Sequence, residues 1–249
     1  MRSLFERLTD ANLTVNLSKC EFAQAQVTFL GHVVGHGCIK PVEAKVETIM
    51  NFPIPDGKRA LRRFLGMAGY YRKFCRNFAD VAAPLTNLLR KNIRYEWTPE
   101  CQVAFERLKA TLASSPVLAA PDFHRPFVVA VDASDIGSGA VLIQEDDAGI
   151  ERPICYMSKK FNKHQSRYST IEKEALALIM ALQHFDVYLN TTEFPVTVHT
   201  DHNPLVFLAK MKNKNARLMR WALTLQECDL HIKHIRGKDN IIADALSRG

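Results

Sequence analysis

The chain has 249 residues, 47% hydrophobic and 24% charged, with a formal net charge of +7. This excludes collagenous and disordered classes and allows one large or two small domains. Six cysteines with no C-x-x-C pair exclude a zinc knuckle and a redox dithiol. No apolar run is long enough to span a bilayer, and Met1–Arg7 has no signal-peptide core, so an intracellular protein (cytoplasmic particle or nucleus) with reduced thiols and no membrane partner is expected, not a secreted one.

The charge is unevenly placed. Residues 1–115 hold 17 Lys and Arg against 10 acids, whereas residues 116–249 hold 16 of each. Between 58 and 94 there are ten basic residues and one acid, Asp80. Such a concentrated basic surface suits a polyanion, although a merely solvated helix face would read the same way.

In chain order, residues 1–17 read as the end of a helix followed by a short strand, and Val27 to Ile39 as a glycine-punctuated hairpin. Pro41 opens a helix running to Asn51. Helices follow at roughly 58–75, 79–91 and 98–113, the last with a Thr98-Pro99-Glu100 start. After Pro116 the pattern changes. Strands are predicted at Phe127–Val131, Gly139–Gln144 and Pro153–Lys159, then a long helix at Thr170–Leu189 and a fourth strand at Phe194–Thr200. Helices at Asn203–Met211 and Ala216–Cys228, a fifth strand at Asp229–Ile235 and a final helix capped by Asn240 complete the chain. The order βββαβααβα is a mixed α/β layer.

Four acids fall where acids are unusual. Asp132 ends the run Phe127 to Val131, and Asp201 ends Val196 to Thr200. Glu174 interrupts the apolar stripe of the long helix, and Asp244 lies one turn into the last one. Carboxylates enter apolar segments when they are paired or bind metal. At 100° per residue, Glu174 falls with Leu178, Ala181 and Phe185 on the sheet-facing side, whereas Glu172 falls beside Gln183 and is expected to be solvated. Strand alternation puts Asp132 with Val128 and Ala130, opposite Val129 and Val131. Such a set suits hard divalent cations: phosphodiester cleavage must activate a water and stabilise a leaving oxyanion, and two Mg²⁺ ions do both, Mn²⁺ being the alternative.

The blocks carrying these acids resemble the ribonuclease H domains of gypsy-type LTR retrotransposons: Val131-Asp132-Ala133-Ser134-Asp135 through Leu142, Tyr168 to Ala177, His199 to Leu205, and Asn240 to Arg248. The first half resembles the reverse transcriptase of the same polyprotein. Phe29-Leu30-Gly31-His32 is similar to the hairpin that grips the primer end, and Leu61 to Phe74 to the thumb. The resemblance implies a palm remnant at 1–30, a primer-grip hairpin, thumb and helical tether at 31–117, and a ribonuclease H-like domain, a five-stranded mixed sheet flanked by helices, at 118–249.

The implied activity is endonucleolytic hydrolysis of the RNA strand of an RNA–DNA hybrid. The implied catalytic and metal-ligating residues are Asp132, Glu174, Asp201 and Asp244. The implied nucleic-acid contacts are Arg59, Arg62, Arg63, Arg72, Lys73, Arg76, Gly31, His32, Ser138 and Asn203, with at least one ring of Tyr70-Tyr71 packed in the core. Partners would be the hybrid and the rest of a reverse transcriptase or a second copy. A catalytically silent nucleic-acid-binding remnant and a structural subunit are the alternatives. Polymerase activity is not expected, because Asp146-Asp147 reads as a turn rather than a polymerase motif. The loop before Asp244, Arg236 to Asn240, is short and holds no histidine, and His234 reads as a structural strand residue. The first ~30 residues are expected to be weakly anchored.

Overall fold

The computed structural model describes residues 2–75, 77–114, 118–206, 216–226, 228–240, 243–244 and 247. The chain opens with helix α1 (Arg2–Asp10), and no residue from 2 to 30 is buried. The strand expected after it does not form. Asn16 instead turns its side chain onto the Ser18 N–H at 3.1 Å and starts a 3₁₀ turn, a local bond that competes with extended pairing. Strands β1 (Gln26–Phe29), β2 (His32–Gly35) and β3 (Cys38–Pro41) form an antiparallel meander. Pro41 therefore ends a strand rather than opening a helix, and α2 begins at Glu43 and ends at Met50.

Helix α3 (Lys58–Tyr70) buries Leu61, Phe64 and Ala68 and leaves the opposite side polar. The single helix expected at 79–91 is two, α4 (Phe78–Val81) and α5 (Ala83–Leu88). Pro84 explains the break, since its ring has no N–H and would clash with the carbonyl four residues back in a continuous helix. Helix α6 (Pro99–Ala113) is capped by Thr98, whose side chain accepts from the Cys101 N–H at 3.3 Å. The two-residue strand β4 (Leu118–Ala119) pairs with β3, so the second half of the chain adds a strand to the first half's sheet.

The larger sheet contains β5 (Val128–Ala133), β6 (Gly137–Glu145), β7 (Glu151–Lys160), β8 (Val196–Thr200) and β9 (Leu230–His234), in spatial order β7-β6-β5-β8-β9. β5, β6 and β7 pair antiparallel, whereas β5, β8 and β9 run parallel. Helix α7 (Thr170–His184) packs on one face, with short α8 (Asp186–Leu189), α9 (Asn203–Val206) and α10 (Ala216–Gln226) around it. Asp146-Asp147 does form the β6–β7 turn, with Asp146 accepting from the N–H groups of Ala148 and Ile150.

Both faces of this sheet are covered. Val129, Val131, Ala140 and Leu142 pack under α7, while Ala130, Val141, Ile143 and Tyr156 join the core of Phe64, Phe74, Leu85 and Phe105 from the helical half. That is why β6 reads as a near-continuous apolar run, the pattern of a strand buried on both sides.

Candidate active site

β5 and β8 are parallel neighbours, so their carboxyl ends lie side by side, the end at which open sheets build sites. Asp132 sits there opposite Gly139 of β6 and is buried. Asp201 follows β8 directly and is half-buried. Thr200, fully buried, fixes the turn after it by accepting from the His202 N–H at 3.1 Å. The third acid comes from α7, whose sheet-facing side carries Glu174 among Ala175, Leu178 and Ala181. Each of the three offers a carboxylate oxygen, and these oxygens lie within 4.8 Å of one another.

Glu172 is not solvated, as the helical wheel alone suggested. It closes a capping box with Ser169, its Oε2 accepting from the Ser169 N–H at 3.0 Å. Its Oε1 pairs with the Arg217 guanidinium of α10 at 2.8 Å, leaving the side chain 13% exposed. The wheel cannot register a capping role or a partner that arrives from another helix.

Asp244 is half-buried, and its carboxylate is not part of the three-oxygen group. Its backbone is nevertheless bound into the site. The Asp244 N–H donates to the Asn240 carbonyl at 3.0 Å, starting the terminal helical turn. The Asn240 side chain does not cap that turn as expected but donates to the Val131 carbonyl at 2.9 Å. Three residues beyond Asp244, the buried Ser247 hydroxyl donates to Asp132 Oδ2.

The loop before Asp244 also touches the acids. A Cβ on Gly237 would lie 3.0 Å from Asp201 Oδ2, so a side chain there would push that carboxylate by a few tenths of an ångström. His234 is a structural strand histidine: its Nε2 lies 3.1 Å from the Asp201 carbonyl oxygen. His202, beside Asp201, has its pKa lowered by burial, against the opposing pull of Asp201. On the other side, Lys173 reaches Asp135 at 2.6 Å and ties α7 to the β5–β6 turn. Gly237 and Ser247 were not singled out from sequence; the available signal was that Ser247 lies three residues after Asp244 in one helical register.

A cluster of carboxylates at one β/α edge, two of the three buried, could hold a cation, and likeness to known proteins identifies the fold around it. Residues 122–228 match the family model described as "RNase H-like domain found in reverse transcriptase". This part of the chain is an RNase H-like domain of reverse transcriptase. The Retrovirus-related Pol polyprotein from transposon 297 of Drosophila melanogaster is 43% identical over 98% of this chain, which covers 23% of that polyprotein. The Transposon Tf2-3 polyprotein of Schizosaccharomyces pombe is 38% identical over all of this chain, which covers 19% of it. The foamy viral protease-reverse transcriptase solved with an RNA/DNA hybrid superposes over 94% of this chain and 32% of its own, with a TM-score of 0.77 at 22% identity. The same viral protein solved with double-stranded DNA gives 0.75 at 23% identity, over 94% of this chain and 50% of its own. The chain thus spans about a quarter or less of the length of the curated relatives it matches. RNase H-like domains use divalent metals, and the Asp132, Glu174 and Asp201 triad could hold one.

The residues expected to meet nucleic acid divide by burial. Arg59, Arg62 and Arg63 are exposed on one side of α3 with Gly66 and Tyr70, and a cavity of about 540 Å³ between α2 and α3 is lined in part by the last four. Asn203 is exposed beside the RNase H-like site. Ser138 is corrected: it is 1% exposed and its hydroxyl points at Met180 Sδ and the Lys159 carbonyl. His32 is half-buried. Its ring stacks on Phe74 at 5.6 Å beside Tyr70 and Tyr71, its Nε2 is buried, and burial lowers its pKa.

Gly31 forms the β1–β2 turn with φ of +74°, and its carbonyl accepts from the Tyr71 hydroxyl at 3.1 Å. Tyr71 is 4% exposed and Tyr70 is 52% exposed, so one ring of the pair is core, as expected. Arg72 donates to the Ser158 carbonyl at 2.7 Å and lies over the Phe78 ring, joining the helical half to the edge of β7. Lys73 is half-buried over the Phe74 ring, and burial lowers its pKa. Arg76 lies outside the described residues.

Proposed function

We propose that the chain is the ribonuclease H end of a gypsy-type retrotransposon reverse transcriptase and cleaves the RNA strand of RNA–DNA hybrids with Mg²⁺ or Mn²⁺. The observation that carries this reading is the convergence of Asp132, Glu174 and Asp201 oxygens within 4.8 Å from three separate elements. Three carboxylates so close repel one another, and oxygen-only donors select hard divalent cations. Asp244 is the proposed fourth ligand, serving a second ion. Bound divalent metal would lower the pKa of an attacking water and stabilise the leaving oxygen.

The chain's own residues do the positioning. Asp132 and Glu174, both buried, hold a fixed acidic wall, and half-buried Asp201 keeps one side open to substrate. Arg59, Arg62 and Arg63 offer cations along one helix face for hybrid phosphates, which fix register without reading sequence. The relatives' full lengths support a setting in which further polyprotein segments accompany this one.

The test is cleavage of an RNA-labelled hybrid by the full chain with Mg²⁺, Mn²⁺ or chelator. Metal-dependent cuts in the RNA strand, lost in Asp132→Asn, are expected. Binding without cleavage by the wild type would instead favour a silent nucleic-acid-binding remnant.

A further inference from the structure

The last helical turn enters the acidic site through one hydroxyl. Ser247 is fully buried, and its Oγ lies against Asp132 Oδ2 and 3.0 Å from the Asp244 carbonyl oxygen. A serine hydroxyl has one proton to give, and an ionised carboxylate attracts it more strongly than a neutral carbonyl. The proton therefore goes to Asp132. Ser247 is itself held, because its backbone carbonyl accepts from the Ser134 hydroxyl. The Ser134 oxygen in turn accepts from the N–H groups of Ile136 and Gly137, at 3.2 and 3.1 Å, in the β5–β6 turn. The hydroxyl is thus anchored to both ends of the segment that follows Asp132.

We propose that Ser247 is a positioning residue for Asp132: by engaging Oδ2 it fixes the rotation of the carboxylate that faces Glu174 and Asp201. The proposal rests on the reading of those acids as a cation site. It also makes the terminal turn serve the site twice, through Asp244 and through Ser247. Partners that orient a ligating carboxylate are typically worth about 10- to 100-fold in metal affinity or activity. A purely structural clamp would behave differently: its loss would lower thermal stability without a selective change in cation binding. Ser134→Ala supplies that comparison, since it removes the bond to the Ser247 carbonyl and leaves the hydroxyl–carboxylate contact in place.

The experiment titrates Mn²⁺ alone into the full-length wild-type chain, Ser247→Ala, Ser247→Thr and Ser134→Ala by calorimetry. Each chain's Tm is measured in chelator, and the Mg²⁺ dependence of hybrid cleavage is followed in parallel. Ser247→Ala is expected to weaken Mn²⁺ binding by about 10- to 100-fold and to raise the Mg²⁺ needed for half-maximal cleavage, with the KM for hybrid unchanged. Ser247→Thr keeps the hydroxyl but adds a methyl to a filled site, so it should bind Mn²⁺ as the wild type does even with a lower Tm. Wild-type Mn²⁺ affinity in Ser247→Ala overturns the proposal, as does a loss that Thr does not rescue and that Ser134→Ala reproduces in step with Tm. Weakened Mn²⁺ binding in Ser247→Ala, with a wild type that cuts no hybrid, leaves the positioning role standing and removes the nuclease reading. A wild type that binds no Mn²⁺ overturns both.

Discussion

Glu172 and Glu174 are two residues apart on one helix, carry the same charge and should fail in opposite ways. Glu172 closes the α7 capping box and pairs with Arg217 at 2.8 Å while 13% exposed. Removing a cap costs about 1 kcal/mol, and a partly exposed ion pair contributes up to about 1 kcal/mol more. Glu172→Ala should therefore lose roughly 1.5–2 kcal/mol, a fall in Tm of about 3–8 °C for a chain of this size. Cleavage per folded molecule should change little. Glu174 instead shares a 4.8 Å cluster with Asp132 and Asp201. At an effective dielectric constant of about 20, each like-charge pair at that separation costs on the order of 3 kcal/mol. Glu174→Gln relieves two such pairs, so its Tm in chelator should equal or exceed the wild-type value. Cleavage should fall on the order of 100-fold or more, equivalent to about 3 kcal/mol of barrier. Scanning fluorimetry in chelator and in Mg²⁺, with hybrid cleavage normalised to folded protein, reads both effects. The reasoning fails if Glu172→Ala abolishes cleavage at unchanged Tm. It fails equally if Glu174→Gln destabilises the metal-free chain as much as Glu172→Ala does.

Two further outcomes are expected. Replacing Arg59, Arg62 and Arg63 together by Ala should reduce the slope of log affinity for hybrid against log salt by about 2–3, whereas Arg72→Ala, which removes a junction bond, should lower Tm and leave the slope unchanged; equal slopes in all chains would refute the assignment. Asp80 is half-buried on α4, and burial raises its pKa from 3.8 to about 6 against the opposing effect of Lys160. The folded chain then holds that proton more tightly than the unfolded one. The associated stability is fully present below pH 3.8 and is lost as pH rises through about 6. After allowance for solvent screening, Asp80→Asn should be the more stable chain at pH 7.5 by about 1 kcal/mol, with no advantage at pH 4; thermal melts showing the same difference at both values would contradict this.

The acids were legible because each breaks a local rule. Asp132 and Asp201 end β-branched runs, and helical geometry alone separates Glu174 from Glu172. The succession of strands and helices along the chain was legible from the same patterning, whereas the spatial order and the parallel β5–β8 pair emerge only in the fold. What sequence could not reveal depends on partners far along the chain. Ser138 belongs to a motif that suggests surface contact, yet it is buried against Met180. Arg72 lies in a basic run and differs from Arg62 only in finding the Ser158 carbonyl 86 positions away. Gly237 lies directly against the Asp201 carboxylate, a relation that no local pattern encodes. The helix break at Pro84 was readable from its ring chemistry, but the basic and apolar periodicity on either side masked it.

The boundary in the sequence near residue 117 is not a boundary in packing. β4 pairs with β3, and Val141, Ile143 and Tyr156 of the larger sheet share one core with Phe64, Phe74 and Phe105. Ala130 belongs to that core too, two residues before Asp132 and on the same side of β5, as does Ala243, the residue before Asp244. The helical half therefore covers the sheet face from which Asp132 rises and against which the terminal turn rests. Its exposed arginines project from α3, whose opposite side buries Phe64 in this core. A phosphate held at Arg62 or Arg63 is thus positioned relative to Asp132 by close packing, and close-packed interiors transmit displacement rather than absorb it. On the proposed function, grip and cut would be coupled through this one core, so loosening the packing around the buried Phe64 should disturb both.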